Sequence, residues 1–116
     1  MGRKSAQEIN KLHLGILQPF IRAVRKKFSP ARVVLFGSRA KGTAHAQSDF
    51  DILIVSPRFK GIEFSRRSVL AYRLKRDVPA AMDIICLTPE EFKERSQRLT
   101  VIREISSEGI DITAAV

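Results

Sequence analysis

The chain has no tryptophan, one tyrosine and one cysteine in 116 residues. A single cysteine allows no internal disulfide. Cys86 lies in the apolar run Ile84-Ile85-Cys86-Leu87 and reads as a buried thiol. No apolar run approaches the roughly 20 residues that a membrane-spanning helix needs. The opening Met1-Gly2-Arg3-Lys4 leads into a polar helix start, not a signal peptide, and Ala6 stands where a myristoylation signal has Ser or Thr. The expectation is one domain over residues 1–116 in the cytoplasm, with room for a single core. Acids are scarce as well: 12 Asp and Glu face 21 Lys and Arg, a net charge of +9. Residues 1–42 hold ten Lys or Arg against Glu8 alone, and residues 57–76 hold seven against Glu63 alone. Such regions attract nucleotides, RNA or acidic partners. No aromatic residues interleave with these cations for base stacking, so a solvated basic surface is the commoner reading, and a dedicated nucleic-acid surface is not the expectation.

Among the few acids, three aspartates stand out. Asp49 and Asp51 open the apolar run Ile52-Leu53-Ile54-Val55, and Asp83 follows Met82 at the start of Ile84-Ile85-Cys86-Leu87. Aspartate is a poor strand former, so three of them at strand openings need a reason. Side chains alternate along a strand, so Asp49 and Asp51 share a face, with Cα atoms roughly 6.6 Å apart. Carboxylates at that spacing repel unless a cation sits between them. Hard oxygen ligands favour Mg²⁺, Mn²⁺ or Ca²⁺. Taken alone, an Asp-x-Asp pair is just as well a turn feeding a strand.

The preceding segment tips that balance. Val33-Val34-Leu35-Phe36 is an apolar strand that ends in Gly37-Ser38, followed by Arg39 and Lys41. A strand that turns through Gly-Ser into a short helix exposes backbone N–H groups to anionic phosphate oxygens. Gly37 has no Cβ to block that approach, and the Ser38 hydroxyl is a further donor. Arg39 and Lys41 add positive charge, with one of them expected to point to solvent.

The remaining pattern alternates helices and strands. Ser5 to Glu8 forms a capping box, and Ile9, Leu12, Ile16, Leu17, Phe20, Ile21, Val24 and Phe28 follow at helical spacing. Pro19 should kink or split that helix, and Ser29-Pro30 should end it. Strands are expected at about 32–36, 50–55 and 81–87. A basic helix is expected at about 63–76. Thr88-Pro89-Glu90-Glu91 opens a helix running to about Ser107, with Gly109 as its C-cap. For Gly37 and Ser38 to meet Asp49 and Asp51, the first two strands must be antiparallel. For Asp83 to join them, the second and third must be parallel, through a right-handed helical crossover.

Phe36-Gly37-Ser38-Arg39-Ala40-Lys41-Gly42, then Ser48-Asp49-Phe50-Asp51-Ile52, then Asp83, resembles the nucleotidyltransferase superfamily that includes DNA polymerase beta. More narrowly, it resembles the minimal nucleotidyltransferase (MNT) domains of bacteria and archaea. The likeness spans roughly residues 33 to 87. One departure is Lys41, where the family usually has arginine; lysine keeps the charge but loses bidentate phosphate recognition. The resemblance implies an α/β (α+β) fold, a small mixed β-sheet of three or four strands backed by helices in α-β-α-β-α-β-α order. It implies that Asp49, Asp51 and Asp83 are catalytic and hold two Mg²⁺ or Mn²⁺ ions. It places Gly37, Ser38, Arg39, Lys41 and Ser48 around the nucleotide phosphates, with ATP as donor. The acceptor would be a partner or a small molecule, because no acceptor-binding domain is in view. The resemblance implies AMP transfer to a hydroxyl of a HEPN (higher eukaryotes and prokaryotes nucleotide-binding) toxin, with this chain as antitoxin. The alternatives are a non-catalytic antitoxin that acts by contact, and an enzyme that modifies an aminoglycoside-like small molecule. His45 is a weak candidate for nucleotide contact, His13 has no assigned role, and Tyr72 reads as a packing residue.

Overall fold

The computed structural model describes residues 2–3, 14–44, 48–98 and 100–114. His13, His45, Ile9, Leu12 and the Ser5–Glu8 capping box lie outside the described residues. A 3₁₀ turn, Leu14–Leu17, leads into helix α1, Gln18–Phe28. Pro19 sits in the first turn of α1, where its missing N–H has no intrahelical partner to lose. It therefore splits the apolar segment rather than kinking one long helix. The strands are β1 (Gly2–Arg3), β2 (Arg32–Phe36), β3 (Phe50–Val55), β4 (Met82–Leu87) and β5 (Ile110–Asp111). Between them lie helices α2 (Gly37–Lys41), α3 (Phe64–Arg73), α4 (Pro89–Ser96) and α5 (Val101–Glu108).

The sheet runs in the order β1-β5-β2-β3-β4. The three long strands are those expected from the sequence, and two two-residue strands extend the sheet beyond β2. β2 and β3 are antiparallel, and β3 and β4 are parallel, as the site required. Alternation then sorts the side chains onto two faces. Val33, Leu35, Phe50, Ile52, Ile54, Met82, Ile84 and Cys86 pack with α1 and Ala71 of α3 in one cluster. Val34, Leu53, Val55 and Leu87 pack under Ile102 and Ile105 of α5 on the other face. By the same alternation Asp51 and Asp83 point to the α5 face. Cys86 is buried, and burial pushes its thiol up to about 12, so it is an inert packing residue. Among the described residues no helix is long and apolar enough to cross a membrane.

One element differs from the sequence reading. The helix expected from Pro89 to about Ser107 is two helices, because the chain leaves helical geometry before Val101. Thr100 is extended, and its hydroxyl donates to the Arg95 carbonyl at 3.1 Å, closing α4. The break lets α5 lay Ile102 and Ile105 onto the sheet. The N-terminus of α4 is the expected capping box: Thr88 Oγ1 accepts from Glu91 N–H, and Glu91 Oε1 accepts from Thr88 N–H. Gly109 caps α5 through its N–H to the Ile105 carbonyl, at φ −67°, not in the left-handed conformation. Its glycine is required by space: a Cβ there would stand 2.5 Å from Ile105 O and 2.7 Å from Val34 Cγ1. Gly109→Ala should therefore destabilise the fold by about 1–3 kcal/mol, the range for overpacking a core. A urea denaturation with an unchanged midpoint would show that α5 can shift to admit the methyl group.

Candidate functional site

The site forms where β2 ends. Phe36 is the last extended residue, and Gly37 turns the chain at φ +71° into the single short helix α2. Among the described residues no side chain caps the start of α2, whose first N–H groups have no intrahelical partner. At its other end the N–H groups of Gly42 and Thr43 both donate to the Ser38 carbonyl, closing the turn compactly.

Strand register brings the carboxylates to this turn. Phe36 pairs with Asp51 across the antiparallel β2–β3 ladder, so Asp51 lies beside the Gly37 turn. Asp51 pairs in turn with Asp83 across the parallel β3–β4 ladder, where strands run about 4.8 Å apart. Asp51 fills the space that a side chain at residue 37 would need: a Cβ built on Gly37 would overlap Asp51 Oδ2. Both the positive φ and this overlap exclude other residues at 37. Asp49 precedes β3 by one residue and is exposed, as is Asp83; Asp51 is half-buried.

Burial pushes the Asp51 carboxyl above the ordinary carboxylate range, and the charges of Asp83 and then Asp49 push it further. Among the described residues the ion pairs run to Glu91, Glu94, Glu104, Glu108 and Asp111, not to Asp49, Asp51 or Asp83. Among the described residues no three acidic, histidine or cysteine side chains stand as a ready-made ligand cluster. The donor set nevertheless fits a hard divalent cation. It consists of carboxylate oxygens, adjacent in register, that repel one another without a cation between them.

The two cations of the turn are engaged within the protein. Arg39 Nε and Nη2 donate to the Ser48 carbonyl at 3.2 and 2.8 Å, and its guanidinium lies 4.2 Å from the Phe50 ring centroid. Arg39 thus holds the residues on both sides of Asp49, a positioning role that sequence alone did not indicate. Lys41 Nζ donates to Glu104 Oε1 at 2.9 Å and lies 3.9 Å from Glu108. That hydrogen bond, and the charges of Glu104 and Glu108, raise the lysine's pKa. A cavity of about 180 Å³ lies between α2 and α5, lined by Phe36, Gly37, Ala40, Val101 and Ile105, with Lys41 and Glu104 among its polar lining.

The chain as a whole is similar to known proteins. The sequence model of the nucleotidyltransferase domain family matches residues 17–112. A crystal structure of a protein from Sulfolobus solfataricus, assigned there as a nucleotidyltransferase, is 34% identical. The match covers 82% of each chain with a TM-score of 0.56. BolA1 from Arabidopsis thaliana is 25% identical, over 66% of this chain and 95% of that one, with a TM-score of 0.53. A toxin-antitoxin structure with AMP-PNP is 19% identical, over 94% of this chain and 73% of that one, with a TM-score of 0.52, a likeness of fold. No curated protein sequence matches the chain. With the family pattern covering most of the chain, including the Gly-Ser turn and all three aspartates, the protein belongs to the nucleotidyltransferase domain family.

Proposed function

We propose that the chain moves AMP from ATP onto a hydroxyl of a protein partner, a HEPN-family toxin, and acts as its antitoxin. The observation that carries the chemistry is the register Phe36–Asp51–Asp83, which sets two carboxylates beside an uncapped Gly-Ser turn. The partner class is supported by the shared fold of the toxin-antitoxin structure, which was determined with the ATP analogue AMP-PNP.

In this reading Asp49, Asp51 and Asp83 hold the divalent cations, two Mg²⁺ or Mn²⁺ ions. When bound, such cations neutralise the charge of the triphosphate and make the acceptor hydroxyl easier to deprotonate. The N–H groups of Gly37 and Ser38 hold the β- and γ-phosphates and stabilise the charge that develops on pyrophosphate. Lys41 is in reach of α2 and α5, and serves the phosphates by leaving Glu104. Arg39 keeps Asp49 in place through Ser48 and Phe50. The acceptor oxygen forms a bond to the α-phosphorus, the α–β bridging P–O bond breaks, and pyrophosphate leaves. The acceptor proton passes to the carboxylate of Asp83, the outermost of the three.

The crowding of carboxylates gives a pH signature in metal-free protein. Asp51 has a raised pKa in the fold, so its contribution to stability is present in acid and is lost as pH rises through that value. Asp51→Asn removes that loss. In EDTA, the melting temperatures of parent and variant should nearly coincide below about pH 4, the ordinary carboxylate range. They should separate in the variant's favour toward neutral pH. A variant that melts below the parent at neutral pH would make Asp51 a structural residue.

Labelled nucleotide tests the reaction. ATP labelled on the α-phosphate should label the partner, and ATP labelled on the γ-phosphate should leave it cold, releasing its label in pyrophosphate. Asp49→Asn with Asp51→Asn should abolish labelling. Transfer of the γ-label to the partner would replace nucleotidyl transfer by phosphoryl transfer. If the double variant silences the toxin in cells as well as the parent does, neutralisation is by contact.

A further inference from the structure

Among the described residues β4 is an edge strand: it pairs with β3 on one side and with no strand on the other. The carbonyls of Ala81 and Leu87 accept from Phe50 and Ser56 across the ladder. Odd-numbered residues of β4 therefore turn their backbone groups to β3, and even-numbered residues turn theirs to the free edge. An open edge presents unpaired N–H and C=O groups that natural folds cover or blunt. Here α3 fills it with side chains. Arg67, buried, donates from Nη1 to the Cys86 carbonyl at 3.3 Å and to Glu91 Oε1 at 2.6 Å. One turn and a half further along α3, the Tyr72 hydroxyl donates to the Met82 carbonyl at 2.8 Å and accepts from the Ile84 N–H at 3.2 Å.

Met82 and Ile84 are the two neighbours of Asp83. We infer that Tyr72 is a positioning residue for the site: its hydroxyl bridges the backbone on both sides of Asp83 and holds that carboxylate in register with Asp51. The inference rests on the metal role proposed above for Asp83. The bridge does at Asp83 what Arg39 does at Asp49, where the guanidinium contacts Ser48 and Phe50. In both places the acidic side chain is left to the ligand, while the residues flanking it are tied to a helix. Tyr72 is partly exposed, and removing its hydroxyl takes this partner from the Met82 carbonyl and the Ile84 N–H. The start of β4 would then be held by the β3 ladder alone, and Asp83 would be fixed less firmly.

Tyr72→Phe removes one oxygen and tests this in the full chain. Mn²⁺ titration, read by electron paramagnetic resonance of the free ion, should show about tenfold weaker binding, in the range for lost outer-shell support of metal ligands. Hydrogen exchange of the Ile84 amide should accelerate. Both are read where circular dichroism shows the variant folded. Unchanged Mn²⁺ affinity with parent binding intact overturns the role of Tyr72 and leaves the metal role standing. A parent that binds no Mn²⁺ overturns both. A second measurement needs no substitution. Tyr72 is the chain's one tyrosine, so 3-fluorotyrosine incorporation yields a single ¹⁹F resonance. That resonance should shift when Mg²⁺ is added, and a resonance indifferent to Mg²⁺ would also overturn the inference.

Discussion

A carboxylate oxygen of Asp51 occupies the place where any residue but glycine at position 37 would carry its side chain. The rest of the site depends on this one steric constraint. It lets the Gly-Ser turn pass directly against the Asp51 carboxylate, so that the backbone N–H groups of the turn and a negative charge become neighbours. Larger residues at 37 would push either the turn or the carboxylate away. The antiparallel β2–β3 ladder enforces the contact, because Phe36 and Asp51 are partners in it. The parallel β3–β4 ladder extends the same row to Asp83.

That row is costly to the fold. Asp51 is half-buried beside two further carboxylates, and its pKa rises for those reasons. The apolar alternation on both faces of the sheet supplies the stability to hold it, through Ile52 and Ile54 on one side and Leu53 and Val55 on the other. Around the row, helices pin backbone, and among the described residues no ion pair engages the three acids. Arg39 grips Ser48 and Phe50, Tyr72 grips Met82 and Ile84, and Arg67 grips Cys86. At Glu91 burial alone would raise the pKa, but hydrogen bonds from Arg67 and Thr88 outweigh it and hold the pKa low. The Arg67–Glu91 pair therefore ties α3 to α4 as well as to the edge of β4.

Much of this was legible in the sequence because it rests on local pattern. The three long strands follow from short continuous apolar runs, and their directions follow from requiring Gly37, Asp51 and Asp83 to meet. The capping box at Thr88 and the glycine at 109 are likewise local signals, although Gly109 serves close packing against Val34 and Ile105 rather than a left-handed turn. What was not legible depends on tertiary placement. The break before Val101 arises because α5 must reach the sheet, and Thr100 in a run of good helix formers gives no strong stop signal. Arg39 and Lys41 read as added positive charge, and the family resemblance places them at the phosphates, yet their partners, Ser48 and Glu104, are fixed by the loop and by α5. Tyr72 reads as packing because its partners are backbone atoms ten and twelve residues away.

Crystals soaked with Mn²⁺ and an ATP analogue whose α–β bridge cannot be cleaved would test the central claim most directly, by anomalous scattering. Manganese should appear within coordination distance of Asp49, Asp51 and Asp83, with the β- and γ-phosphates on the N–H groups of Gly37 and Ser38. Triphosphate bound elsewhere, with no manganese at the three aspartates, would contradict it.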